Sequence, residues 1–139
     1  MREILFRGKD INNGEWITGF LVDGTHIGSW LECVPVHPET VGQFTGLTDK
    51  NGTKVFEGDI VQYSIEEDQA VFVGAVKFGE FNPDGGEPIN TNVGFYVELS
   101  DQEGKRTYMR KDIGFWVKFR KVEVIGNIHD NPELLEVQE

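Results

Sequence analysis

The most informative part of this chain reads Thr45-Gly46-Leu47-Thr48-Asp49-Lys50-Asn51-Gly52-Thr53-Lys54-Val55-Phe56-Glu57-Gly58-Asp59-Ile60-Val61. Asp49 to Gly52 predicts a polar turn, and Asn51-Gly52 is a strong signal for a β-hairpin, because both residue types accept positive φ at little cost. Gly58-Asp59 predicts a second turn or bulge, which leads into the β-prone residues 60–65. The stretch therefore predicts strands separated by two closely spaced turns.

The same turn chemistry recurs outward from this stretch. Asn13-Gly14 and Asp23-Gly24 predict further hairpins, and Gly-rich turns recur roughly every 8 to 12 residues, a spacing typical of small barrels and sandwiches. We expect a mainly β fold, or an α+β fold with little helix. The expected architecture is a small, partly open β-barrel with an SH3-like core, N-terminal hairpins and a short helical turn begun by Asn131-Pro132.

The length of 139 residues predicts a single domain over residues 1–139. Within it we expect an N-terminal hairpin region at 1–44 and a barrel-like core at 45–139. Residues 82–92 are rich in Pro and Gly and predict a flexible surface loop.

Cys33 is the single cysteine, so the fold cannot depend on an internal disulfide. Its apolar neighbours predict a buried strand residue. No stretch approaches the roughly 20 apolar residues that a membrane span needs, and the charged first residues show no signal-peptide core. A cytoplasmic location is the expectation.

Charge is segregated along the chain. The formal net charge is −11, yet residues 105–121 hold seven basic residues and one acidic residue, and the rest carries −17. Aromatic residues are interleaved with the basic ones. The candidate interaction surface consists of Lys105, Arg106, Tyr108, Arg110, Lys111, Lys118, Arg120 and Lys121.

Three interpretations of the segment 105–121 remain open. Its apolar residues could be ordinary core with solvated basic neighbours. It could bind single-stranded nucleic acid through its basic side chains and through stacking of bases on its aromatic rings. The net charge of the whole chain opposes phosphate binding. It could also meet an acidic protein surface, including another copy of the chain. Mimicry of nucleic acid by the acidic remainder is a further alternative.

No catalytic residues, metal site or cofactor are predicted, and an enzyme is not expected. His26, His37 and His129 lack the spacing of paired metal ligands. Asp49, Glu57 and Asp59 fit turn chemistry better than acid–base catalysis, which needs one carboxyl in an apolar setting. No helix start or Lys-Ser/Thr pair follows Gly46 or Gly58, as a phosphate loop requires.

The central stretch and the C-terminal Val124-Ile125-Gly126-Asn127-Ile128 with Asn131-Pro132-Glu133-Leu134-Leu135 resemble the YopX family of phage and prophage proteins. The opening residues 2–8 and Trp16 are also similar to that family's start. The positions that carry the motifs, expected to be structural, are Thr45, Gly46, Leu47, Asp49, Asn51, Gly52, Glu57, Gly58, Asp59, Gly126, Asn127, Asn131 and Pro132.

The resemblance implies a small, mainly β protein encoded by a phage or prophage and present in the bacterial host cytoplasm. It brings no established catalytic residues. The hypothesis is a non-enzymatic accessory protein that binds a host or phage protein or assembles with itself, with a homo-oligomer expected. The alternative is nucleic-acid binding through residues 105–121.

Overall fold

The structure, a computed structural model, describes residues 3–29, 32–65, 70–81, 92–101, 107–112 and 122–135. These residues form eleven β-strands and two short 3₁₀ turns, Pro38–Thr40 and Pro132–Leu135. Neighbouring strands are antiparallel throughout the described part, so the mainly β class is confirmed.

The first sheet has six strands in the order β4-β3-β2-β1-β5-β6. Its strands are β1 Phe6–Lys9, β2 Trp16–Asp23, β3 His26–Gly28, β4 Cys33–Pro35, β5 Gly42–Thr48 and β6 Lys54–Phe56. Strands β1 to β4 follow one another through short connections, which confirms the N-terminal hairpins. Strand β5 returns to the other side of β1, where Phe6 pairs with Gln43.

The second sheet has five strands in the order β10-β9-β8-β7-β11. Its strands are β7 Asp59–Ile65, β8 Ala70–Phe81, β9 Asn92–Asp101, β10 Thr107–Asp112 and β11 Val122–Asn127. The register between β11 and β7 shifts between Val124 and Gly126. Ile125 is the extra residue of this bulge.

The central hairpin forms where Asn51-Gly52 predicted it. Gly52 has φ of 82°, the left-handed conformation that glycine adopts without a Cβ penalty. Its N–H donates to the carbonyl of Asp49 at 3.0 Å, which closes the turn between β5 and β6. The predicted turn before Asp59 is also present, with φ of 92° at Gly58.

Gly58 ties three parts of the chain together. Its N–H donates to the carbonyl of Val76 in β8 at 2.8 Å, and its carbonyl accepts from the N–H of Ile128 at 2.9 Å. The turn at Gly58 also moves the chain from the first sheet into the second. The change of sheet falls here because β5 and β6 belong to the first sheet, and the division expected after residue 44 stays a prediction.

The described strands do not close into a barrel, so this part of the expectation is not confirmed. The two sheets have separate strand orders, and no described strand pair joins one sheet to the other. Strand β6 has only three residues, and the chain changes sheet immediately after it. Strand β6 ends at Phe56, and the next strand, β7, already belongs to the second sheet, so the described strands form no backbone ladder between β6 and β7.

The main core fills the space between the β5–β6 hairpin and the second sheet. Val55 from β6 is fully buried against apolar residues of β7, β8, β9 and β11. Its partners in this cluster are Val61, Tyr63, Phe72, Val76, Val97 and Val122, with Leu47, Phe95 and Val124 packed at the edge. Burial of these side chains supplies the main favourable free energy for joining the sheets.

Cys33 corrects one expectation. It lies in a strand, as predicted, but its side chain is exposed. The physical reason is its place in β4, a three-residue strand at the edge of the first sheet as described, where one side of the strand has no neighbour in the sheet. No helix in the described ranges is long and apolar enough to cross a membrane.

Candidate functional site

The candidate interaction surface lies mainly outside the described residues. This applies to Lys105, Arg106, Lys118, Arg120 and Lys121 and also to the expected loop at 82–91. Tyr108, Arg110 and Lys111 lie on β10, an edge strand of the second sheet, where Arg110 pairs with Glu98 through the backbone. The role predicted for this segment therefore stays a prediction.

Asp49 performs the predicted turn chemistry and also joins the two sheets. Its Oδ1 accepts the N–H groups of Asn51 and Thr53, both at 2.9 Å, and its Oδ2 accepts the N–H of Val124 in β11 at 2.8 Å. The N–H of Lys50 donates to the carbonyl of Val122. The hairpin tip therefore covers the outer edge of β11.

Asp59 forms a buried ion pair with Arg7, a residue that the sequence analysis did not select. The Nη2 atom of Arg7 lies 2.6 Å from Oδ1 of Asp59, and the two side chains are 12% and 3% exposed. Oδ2 of Asp59 accepts the N–H of Phe56 at 2.7 Å. Burial raises the pKa of Asp59, while the Arg7 charge and the Phe56 N–H oppose that rise.

Aromatic rings enclose the guanidinium of Arg7. Its Cζ lies 4.6 Å from the ring centroid of Trp16 and 4.9 Å from that of Phe56. Arg7 Nε is buried, and no described residue is its hydrogen-bond partner. The charge is therefore stabilised by Asp59 and by two ring faces. The sequence signal available for this position was a charged residue between Phe6 and Gly8.

A second polar cluster joins the first sheet to the C-terminal motif. We call it the terminal clasp: Lys9, Trp16, Asn127, His129 and Asp130. The Asp130 carboxylate pairs with Lys9 Nζ through Oδ1, and its Oδ2 accepts from Trp16 Nε1 at 2.8 Å and Asn127 Nδ2 at 3.1 Å. These contacts, with that of Lys9 first, lower the pKa of Asp130.

His129 completes the terminal clasp. Its ring centroid lies 5.9 Å from that of Trp16. Burial lowers the pKa of His129, and the cations Arg7 and Lys9 add to this effect, whereas Asp130 and Glu39 oppose it. The imidazole is thus held in its neutral form near neutral pH.

The remaining C-terminal motif residues shape the chain after β11. Asn131 Oδ1 accepts the N–H of Asn127 at 3.3 Å, so this side chain reaches back toward the end of β11. A Cβ at Gly126 would lie 2.5 Å from Asn131 Oδ1. Pro132 begins the 3₁₀ turn as predicted. Gly126, Asn131 and Pro132 thus shape the chain that follows β11.

One end of the first sheet exposes an apolar surface. We define the apolar patch as Ile4, Phe20 and Val22. Phe20 is 56% exposed, and it lines a groove of about 540 Å³ together with Ile4. The side chains of Phe20 and Val22 pack against the backbone at Gly28. A Cβ at that position would lie 2.6 Å from Phe20 and 2.9 Å from Val22.

A second depression lies where the turn at Gly58 meets β8 and the C-terminal motif. It has a volume of about 310 Å³ and is lined by apolar, aromatic and charged residues. The lining includes the charged residues Glu39, Glu57 and Lys77, together with Val41, Phe78 and His129. We call it the junction cleft.

The three histidines are not brought together. His26 contacts Asp23 and Thr25 at the β2–β3 turn, and His37 lies 3.8 Å from Glu39. Among the described residues, no group of three or more His, Cys, Asp or Glu residues is placed to hold a metal ion.

Comparison with known proteins supports the sequence resemblance. The model of a family described as "YopX protein" matches residues 5–136. The crystal structure of protein EF1440 from Enterococcus faecalis is similar, with a TM-score of 0.54 and 23% identity over 98% of this chain and 100% of that chain. At this identity the likeness shows the fold alone. No curated protein matches the chain.

Proposed function

The chain belongs to the YopX family, and from that premise we propose that it is a non-enzymatic interaction module that assembles with copies of itself. Its proposed setting is the cytoplasm of a bacterial host, as a phage or prophage accessory protein. The observation that carries the proposal is the apolar patch, whose side chains are about half exposed although they could have been polar without loss to the core.

Acidic residues adjoin the apolar patch. Glu3 and Asp23 are its neighbours in sequence, and the carbonyl of Glu32 accepts the N–H of Ser29 at the groove. The Asp23 carboxylate stays ionised, because hydrogen bonds, first that of the Thr25 N–H, lower its pKa to about 2. One neighbouring cation, Lys54, is paired with Glu3 at 3.1 Å.

A complementary occupant needs apolar side chains flanked by positive charge. The chain itself contains such a segment, since residues 105–121 carry a net charge of +6 together with Tyr108, Phe115, Trp116 and Phe119. We therefore propose that the segment 105–121 of one copy docks on the apolar patch of another. Opposite charges on the two surfaces favour this head-to-tail contact.

The first prediction concerns Phe20, with Phe78 as its matched control. Both side chains are 56% exposed, but Phe78 lies outside the apolar patch. We expect Phe20→Ser to weaken self-association about tenfold or more, since truncated aromatic anchors cost about 2 kcal/mol. Phe78→Ser should leave association unchanged. Sedimentation velocity over a concentration series measures both.

Charge provides the second arm of this experiment. Reversal of Arg106, Arg110, Lys118 and Arg120 to Glu should abolish association, and added salt should weaken it in the wild-type protein. A wild-type chain that stays monomeric at every concentration would reject self-assembly. Capture of a host or phage protein that depends on Phe20 would then assign the apolar patch to a different protein partner.

Nucleic-acid binding by the basic-aromatic segment is the second candidate function. It is supported by the concentration of seven basic residues in 105–121 and opposed by the net charge of −11. Single-stranded DNA that binds the wild type with a steep salt dependence, and does not bind the fourfold charge reversal, would favour this alternative. Phe20→Ser should then bind like the wild type.

A further inference from the structure

The junction cleft has the size and the walls of a small-molecule site. Its volume of about 310 Å³ lies at the lower end of the range for ligand pockets, roughly 300–1,000 Å³. Phe78 forms one wall, and its ring meets that of Phe95 edge to face with centroids 5.0 Å apart. Phe95 packs at the edge of the core, whereas Phe78 leaves aromatic surface exposed to the cleft.

The charges of the junction cleft favour a positive ligand. Glu39 and Glu57 line it, and among the described residues Glu57 has no ion-pair partner. Lys77 supplies one opposing charge. His129 adds none near neutral pH, because burial and the cations Arg7 and Lys9 lower its pKa. The lining therefore carries a net charge of −1.

We propose that the junction cleft binds an alkylammonium or guanidinium cation. The carboxylates of Glu39 and Glu57 pair with the charge, and the alkyl chain packs on Val41 and Phe78. Cations are attracted to aromatic faces as well as to carboxylates, and the effect grows where water is partly excluded. The cleft is separate from the apolar patch, so this proposal does not rest on self-assembly.

The second prediction tests whether the junction cleft binds a cation. Titration of n-butylammonium, followed by NMR of the His129 ring and the amides of Gly58 and Ile128, should show saturable shifts. The uncharged 1-butanol should show none at equal concentration. We expect Glu57→Gln to weaken binding about tenfold, the loss of one favourable charge contact, and Lys77→Gln to strengthen it.

The matched control is Glu3→Gln, which removes one carboxylate outside the cleft and should bind like the wild type, as should Phe20→Ser. N-acetyl-arginine amide separates the two sources of the cation: tighter binding than n-butylammonium identifies a protein side chain, and equal binding a free amine. The proposal is overturned if neither cation shifts these signals at about 10 mM, or if 1-butanol shifts them equally.

Discussion

The ion pair between Arg7 and Asp59 is the main feature at the scale of single residues. Both side chains are removed from water, and each depends on the other for charge compensation. Replacing a buried pair with apolar groups can be nearly neutral, but removing one partner leaves an uncompensated charge. The neighbouring rings of Trp16 and Phe56 reduce the cost of the Arg7 charge without removing it.

The third prediction follows from this asymmetry. Asp59→Asn should lower the free energy of unfolding by about 3 kcal/mol, because the Arg7 charge stays buried. Arg7→Met in the same chain should recover part of that loss, since Met keeps the apolar stem between the rings and the introduced asparagine amide can still accept from the Phe56 N–H. Urea unfolding of the single and double variants measures this, and a double variant no more stable than Asp59→Asn would contradict it.

At the scale of elements, the β5–β6 hairpin protects the second sheet. An exposed edge strand offers unpaired N–H and C=O groups to other chains. Here the hairpin tip supplies an acceptor for the N–H of Val124 and a donor for the carbonyl of Val122. The tip is therefore both a turn and a cover for β11.

The fourth prediction concerns this cover. Asp49→Ala leaves three N–H groups without their acceptor, so the free energy of unfolding should fall by about 3 kcal/mol, and the Val124 amide should lose hydrogen-exchange protection. The control is Lys50→Ala, which removes a half-exposed ion pair with Glu123 but keeps the backbone bond. That control should cost less than about 1 kcal/mol; equal costs for the two variants would contradict the role of Asp49.

At the scale of the whole molecule, the terminal clasp holds positions that are far apart in the chain. Lys9 and Asp130 are 121 positions apart, and Trp16 and Asp130 are 114 apart. His129 is packed among these groups, with Arg7 and Lys9 opposing its protonation and Asp130 and Glu39 favouring it. Because the cations and burial prevail, the folded protein takes up a proton at His129 less readily than the unfolded chain.

The fifth prediction is the resulting pH dependence. The pKa of His129 in the folded state lies below the ordinary value of 6.5, so the unfolded chain protonates first and stability should fall as the pH drops from about 7.5 to about 5.5. His129→Gln should reduce this fall more than His26→Gln, which removes a histidine at the β2–β3 turn. Urea midpoints at the two pH values measure it; equal slopes for the two variants would refute the assignment.

The sequence alone was sufficient for features that arise within a few residues. Asn51-Gly52 and Gly58 specified turns because positive φ is a local preference of the backbone. The β-prone residues 60–65 lie in strand β7, as predicted, since β-branched and aromatic residues favour strands. The family resemblance, confirmed over residues 5–136, came from the central stretch 45–61, the C-terminal motif and the opening residues.

Tertiary structure decided the features that need distant residues to meet. The partner of Asp59, the strand order that leaves Cys33 exposed, and the open sheets all depend on which surfaces pack together. The contacts that stabilise these features join residues 50 to 121 positions apart in the chain. No local conformational preference encodes such contacts. The turns follow from backbone chemistry, whereas Arg7, the terminal clasp and both surface depressions follow from how the two sheets pack.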